Sequence, residues 1–170
     1  MNKGLGVIMT IKSDCIEKAN ELGIEIVGNT DWKGKCKAED SELAQFFTDV
    51  RYNYPEYYDL IFHPEMEFNP QGGSSYAYHA KSKAKGRLDS VADIICLPIS
   101  KGAPAFICEL KKVNFGDSVK SSKDKEHFFK QLSRLSSQKQ HGAIAFVALG
   151  CNNAYKQFER YVNEYARASK

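Results

Sequence analysis

The sequence lacks most of the motifs that would assign a function at once. No apolar run approaches the ~18 residues that a membrane helix needs, and the five cysteines include no C-x-x-C pair. There is no Gly-rich Walker loop, no G-x-G-x-x-G, no H-E-x-x-H and no serine nucleophile elbow. We therefore expect neither a membrane protein nor an enzyme that uses a nucleotide cofactor, and the four dispersed histidines do not suggest a zinc site.

Neither the net charge nor the number of cysteines indicates a particular function. The formal net charge of the 170 residues is only +3, and apolar residues make up 42% of the chain, which suits one globular domain. Cys96 and Cys108 lie inside apolar runs and are expected to be reduced core residues. The apolar stretch at residues 4–9 is too short for a signal-peptide core, so we expect a cytoplasmic protein.

The first half of the chain predicts two helices and two strands. Apolar spacing, caps and turn residues indicate a helix at 14–22, a short strand at 23–28, a helix at 40–53 that Pro55 ends, and a strand within 58–68. The second half reads strand, strand, helix, strand, helix, at 90–98, 105–112, 125–140, 143–149 and 153–168. This order predicts an α/β core in which a right-handed crossover sets 143–149 parallel to 105–111.

The strand "AFICELKK", residues 105–112, carries an unexpected pair of charges. Side chains alternate along a strand, so Glu109 and Lys111 point to one face of an otherwise apolar segment. Such a pair indicates either a solvated strand end or a functional site.

Asp93 supplies a possible partner for this pair. If residues 90–98 and 105–112 form a hairpin with its turn centred at Lys101, Asp93 lies opposite Glu109, with the side chains about 5 Å apart. Two carboxylates at that distance repel each other, and a divalent cation between them reverses the sign of the interaction. A slip of one residue would place the carboxylates on opposite faces.

An aspartate followed across a hairpin by Glu-x-Lys resembles the PD-(D/E)XK nuclease superfamily. The resemblance extends to the VRR-NUC family over about residues 39–150. It rests on the helix segment "DSELAQ" at 40–45, on "NPQGG" at 69–73, and on Gln131 ahead of Gly142 and an apolar strand. One departure is "SVAD" at 90–93, where the family usually has G-x-P-D.

The resemblance implies a PD-(D/E)XK restriction-endonuclease-like core: a mixed central sheet flanked by helices at 39–170, preceded by a small N-terminal extension at 1–38. It implies a metal-dependent endonuclease that uses Mg²⁺ or Mn²⁺ to cleave DNA, leaving a 5′-phosphate and a 3′-hydroxyl, with structured or branched DNA as the expected substrate. It also suggests a homodimer and a bacterial or phage-infected host cell. The rival interpretations are a catalytically inactive nucleic-acid-binding protein, or the same chemistry on RNA or linear DNA ends.

The resemblance also suggests a role for each candidate site residue. Asp93 and Glu109 would bind the metal, with Glu42 as a more distant ligand. Lys111 would activate water or offset charge on the phosphate, and Gln131 would orient the water or the ammonium. Two alternatives stay open: Glu39 competes with Glu42 because it shares the buried stripe of the helix, and Gln131 could belong to a solvated helix face.

Basic residues flank the candidate site in the sequence. Lysines at every second position follow a tyrosine-rich stretch, and they predict contacts with nucleic-acid phosphates. A solvated loop is the alternative interpretation. The predicted phosphate contacts are Lys81, Lys83, Lys85, Arg87 and Lys112.

Overall fold

A five-stranded mixed sheet forms the centre of the computed structural model, which describes residues 3–64, 86, 88 and 90–166, with the backbone alone for 3–9. The strands are β1 (Ile26–Val27), β2 (Ile61–Phe62), β3 (Ile94–Cys96), β4 (Phe106–Lys111) and β5 (Ile144–Leu149). Their spatial order is β1-β5-β4-β3-β2. β5 is parallel to both β1 and β4, whereas β3 is antiparallel to both of its neighbours. The expected mixed sheet is therefore confirmed.

Helices cover both faces of this sheet. They are α1 (Lys3–Glu21), α2 (Glu39–Asn53), α3 (Ser122–Gln140) and α4 (Cys151–Tyr165), with short 3₁₀ helices at Pro55–Leu60 and Phe115–Asp117. α2 packs against α4 over one face, and α1 packs against α3 over the other. Within the described residues, no helix is long and apolar enough to cross a membrane.

Strand β4 contributes to both apolar cores because its side chains alternate. Phe106, Cys108 and Leu110 join the core beneath α2 and α4, while Ile107 joins the core beneath α1 and α3. All six residues of β4 are buried. Glu109 and Lys111 share the face of Ile107, so the two charged side chains point towards α1 and α3 from inside the sheet.

Three helices begin earlier than the sequence pattern predicts. α1 starts at Lys3 instead of residue 14, and its buried stripe extends beyond the predicted helix to Ile11, which packs with Cys15 and Ala19 in the core beneath α3. α3 starts at Ser122 because Ser121 and Asp124 form a capping box. α4 starts at Cys151, directly after Gly150.

The segment before residue 38 is built into the sheet. β1 lies beside β5 at one edge, and the backbone N–H of Val147 donates to Glu25 O at 2.9 Å. The division of the chain at residue 38 nevertheless remains a prediction. At the opposite edge, the strand predicted within 58–68 is the short β2, and "NPQGG" at 69–73 lies outside the described residues.

Gly150 links β5 to α4 at a point where no larger residue fits. Its φ is +81°, a conformation that favours glycine. A Cβ atom added there would lie 2.5 Å from Val113 Cγ2. Gly142 also has a positive φ, +92°, but a Cβ atom at that position would have no neighbour within 4 Å.

We expect Gly150→Ala to destabilise the protein more than Gly142→Ala. Both substitutions place alanine at positive φ, a strain of about 1–3 kcal/mol, and only the first adds a steric clash with Val113. Urea unfolding of the two variants measures the difference. Equal free energies of unfolding would show that the chain around Val113 relaxes without cost.

Candidate active site

The β3–β4 hairpin has the register that the sequence predicts. Ile94 pairs with Cys108, Ile95 with Ile107, and Cys96 with Phe106. Continuing this register by one residue places Asp93 opposite Glu109. The two side chains are also close enough for the Asp93 carboxylate to contribute to the pKa shift of Glu109. Both carboxylates therefore lie on the same face of the sheet.

A cavity of about 740 Å³ opens in front of this pair. Its lining is rich in carboxylates, and Lys111 is the one lysine among the described lining residues. The carboxylates are Glu39, Asp40, Asp93, Glu109 and Asp124, and His63, His127 and Gln131 also reach the cavity. Such a lining attracts cations and, by itself, repels a polyanion.

Glu109 and Lys111 form a buried ion pair. Lys111 Nζ lies 2.6 Å from Glu109 Oε1. Lys111 is 8% exposed and Glu109 is 1% exposed. Burial together with the Asp93 carboxylate raises the pKa of Glu109 above its usual range, although the Lys111 ammonium lowers it and favours the charged form. Burial opposes the charge on Lys111, but the Glu109 carboxylate raises the pKa of Lys111 above its usual range, so Lys111 is an ammonium.

Gln131 completes the contacts on one side of Glu109. Its side chain is 5% exposed, which excludes the solvated helix face, and its Nε2 donates to the same oxygen, Oε1, that Lys111 contacts. Glu109 Oε2 is buried and has no hydrogen-bond partner among the described residues, and the same holds for Gln131 Oε1. Two acceptor oxygens are thus left without a protein donor at the centre of the site.

Asp93 lies just before β3 and is held through its side chain and its backbone. Its Oδ2 accepts a hydrogen bond from Leu110 N–H at 2.9 Å. Its backbone carbonyl accepts from His63 Nδ1 at 2.7 Å, which fixes the tautomer of that ring. Ser90, where the VRR-NUC pattern has glycine, has a φ of +58°, so the backbone adopts a left-handed conformation there without glycine.

The structure places Glu39, and not Glu42, in the cavity. Glu39 Oε1 accepts hydrogen bonds from Ser118 Oγ at 2.7 Å and from Lys112 N–H at 3.3 Å, and its charge acts on Lys111. Glu42 is not among the residues that line the cavity, and its Oε2 accepts from Cys151 N–H at 2.8 Å at the start of α4. The assignment of Glu42 as a distant metal ligand stays a prediction, and the structure gives this side chain a contact at a helix N-terminus.

The donor set of the cavity fits a hard divalent cation. Mg²⁺ is held in proteins by one or two carboxylates plus waters. Asp93 and Glu109 supply two carboxylates, and Glu109 Oε2 has no hydrogen-bond partner in the described part of the chain. Within the described ranges, no three Asp, Glu, His or Cys side chains are grouped as a complete metal centre. Water molecules or a phosphate oxygen would have to supply the remaining ligands.

Two histidines of the cavity were missed by sequence reasoning. His63 and His127 belong to distant elements, and no spacing motif connects them with Asp93 or Glu109. Burial, followed by the nearby Lys111, lowers the pKa of His127 below its usual range. Among the predicted phosphate contacts, Lys112 flanks the cavity through its backbone, whereas Lys81, Lys83, Lys85 and Arg87 lie outside the described residues.

The comparison with solved structures identifies a known fold. The chain shares the fold of a VRR_NUC domain protein. The match covers 76% of this chain and 91% of that chain, with a TM-score of 0.54 and 22% sequence identity. No family model matches the sequence, and no curated protein matches it either. The fold predicted from the E-x-K hairpin is therefore confirmed by a solved structure.

We expect His63→Ala to loosen the Asp93 contact with β4, and His63→Asn to preserve it. The amide of Asn places an N–H donor where His63 Nδ1 donates to the Asp93 carbonyl. Loss of one such bond, about 1 kcal/mol, should speed hydrogen exchange of the Leu110 amide roughly fivefold. Two-dimensional NMR measures this rate, and unchanged exchange in His63→Ala would show that His63 does not position Asp93.

Proposed function

We propose that this protein is a metal-dependent nuclease of the VRR-NUC family that cleaves DNA phosphodiester bonds. The observation that carries the proposal is the convergence of Asp93, Glu109 and Lys111 on one face of a buried hairpin, with Glu109 Oε2 left unpartnered. The shared fold with a VRR_NUC domain protein supports it. A surface salt bridge would not explain two buried charges, Glu109 and Lys111, with the partly buried Asp93 beside them.

The roles of the residues follow from their contacts. Asp93 and Glu109 would hold Mg²⁺ or Mn²⁺, which supplies Lewis-acid activation of water and neutralises phosphate charge when bound. Lys111 Nζ lies beside Glu109 Oε1, where this side chain can donate a hydrogen bond to a water or a phosphate oxygen. Gln131 holds Glu109 Oε1 in place and presents its own free Oε1 to the cavity.

Glu39 takes the part that the sequence analysis gave to Glu42. It lines the cavity, and its carboxylate accepts from Ser118 and from the Lys112 backbone at the end of β4. It can therefore bind a water of the metal shell or orient the loop that follows Lys111. Glu42 belongs to the packing between α2 and α4.

The substrate we propose is structured or branched DNA, cleaved to leave a 5′-phosphate and a 3′-hydroxyl. An inactive nucleic-acid-binding protein is a less favoured candidate, because a binding surface does not need a carboxylate pair with an unpartnered buried oxygen. RNA and linear DNA ends present the same phosphodiester to the same groups. A panel of plasmid, four-way junction, linear duplex and RNA separates these substrates.

We expect Asp93→Asn to lower Mg²⁺-dependent cleavage by at least about 10²-fold, the size typical of losing a group that stabilises transition-state charge. Asparagine retains an oxygen for Leu110 N–H and removes only the charge. Asp40→Asn is the matched control, since it removes a carboxylate from the rim of the same cavity. Plasmid nicking with Mg²⁺, Mn²⁺ or EDTA measures the effect. Cleavage by Asp93→Asn at the wild-type rate would refute the proposed site.

Glu39→Gln and Glu42→Ala should affect different properties. The first is expected to impair cleavage in a folded protein, because it changes a cavity carboxylate. The second leaves Cys151 N–H without its acceptor at a buried helix start, a loss of about 1–2 kcal/mol of stability, while the folded fraction still cleaves. Urea unfolding and the nicking assay test both variants. A Glu42→Ala protein that is as stable as the wild type but does not cleave would show that Glu42 belongs to the active site.

A further inference from the structure

The loop between β1 and α2 carries a row of basic residues outside the site described above. Residues 32–37, named here the lysine loop, contain Trp32 followed by lysines at every second position: Lys33, Lys35 and Lys37. All three lysines are exposed. Among the described residues, none of the three forms an ion pair within 4.0 Å.

Contacts on both sides hold the lysine loop in place. Before it, Asp31 Oδ1 pairs with Lys12 Nζ of α1 at 2.8 Å. Inside it, the Trp32 ring packs so closely over Gly34 that a Cβ atom there would lie 2.8 Å from Trp32 Cη2. The Cys36 thiol donates to Asp117 Oδ2 at 3.9 Å. The loop is thus fastened to α1 and to the segment that follows β4.

The end of the lysine loop lies at the rim of the cavity. Asp117, the partner of Cys36, precedes Ser118, which lines the cavity and bonds to Glu39. Glu39 itself is two residues beyond Lys37 and is the first residue of α2. The charge of Lys37 also acts on Cys151 at the start of α4. Lys37 is therefore exposed beside the carboxyl end of the sheet, where Lys111 also lies.

The described lining of the cavity is mostly negative, so positive charge near its rim would favour the approach of a nucleic acid. Five carboxylates and one lysine line the described part of the cavity. A phosphodiester backbone approaching them is repelled, and a divalent cation offsets this only locally. Exposed lysines gain from releasing the counterions condensed on a nucleic acid, and they need no sequence-specific geometry to do so.

We propose that the lysine loop binds the phosphate backbone of the nucleic acid on the side of the cavity formed by α2. That the lysine loop lies beside a cleavage site rests on the proposed function, whereas its binding to phosphates rests only on its exposed lysines. Lys35 and Lys37 are the principal contacts, because Lys33 acts in part on Asp31, whose pKa Lys12 and Lys33 hold below its usual range. The chain before α2 then helps to position the nucleic acid over the cavity.

The test compares Lys35→Gln/Lys37→Gln with the charge-matched variant Lys101→Gln/Arg160→Gln. Lys101 and Arg160 are exposed, in the β3–β4 turn and on α4 near the start of β5. Binding of a fluorescently labelled DNA duplex is followed by anisotropy in EDTA at several salt concentrations. We expect the plot of log affinity against log salt to become shallower by about 1.8 for the loop variant, or 0.9 per lost phosphate contact, and to stay unchanged for the control.

Equal slopes for the loop variant and the wild type would overturn the inference, as would an equal loss in both variants or the absence of duplex binding by the wild type. Cleavage is measured separately with Mg²⁺ and Mn²⁺. A wild-type protein that fails to cleave, yet binds DNA through Lys35 and Lys37, would refute the nuclease and leave the lysine loop supported. A wild-type protein that cleaves DNA, together with a loop variant whose salt slope equals that of the wild type, would support the nuclease and refute phosphate binding by the lysine loop.

Discussion

A buried pair of opposite charges on the central strand is the constraint on which the rest of the structure depends. All six residues of β4 are buried, so Glu109 and Lys111 have little water to solvate them. Removing two charges from water is expensive, and their mutual attraction returns that free energy only with good geometry and further hydrogen bonds. Gln131 of α3 provides one such hydrogen bond, from its Nε2 to Glu109 Oε1. Apolar residues of similar volume would fill this face at a lower cost in free energy, which is the reason for proposing a functional role for the two charges.

Helix α2 illustrates how one helical turn can serve two purposes. Glu39 and Glu42 are three residues apart, yet one points into the cavity and the other accepts a hydrogen bond from the first residue of α4. Gly150, which permits the tight passage from β5 into α4, lies beside Glu42 and donates its N–H to Lys111 O. The candidate site and the contact between α2 and α4 therefore lie at the same end of the sheet.

The sequence was sufficient where local rules determine the geometry. The turn at Lys101 and the alternation along β4 predicted the register that places Asp93 opposite Glu109. The sequence was insufficient where distant elements decide. The choice between Glu39 and Glu42 depends on how α2 docks, and the role of His63 depends on which carbonyl lies beside the end of β2. The early start of α1 depends on packing against α3, which periodicity over residues 14–22 cannot show.

The short strand β1 covers part of one edge of the apolar strand β5. β5 is an apolar six-residue strand, and β1 occupies the side of it that β4 leaves open. Without β1, the backbone donors and acceptors of β5 would face outward and could template pairing with another molecule. Ile26 and Val27 thus cover the open edge of β5 at Val147 and Ala148, which leaves less of that edge for a second molecule to pair with.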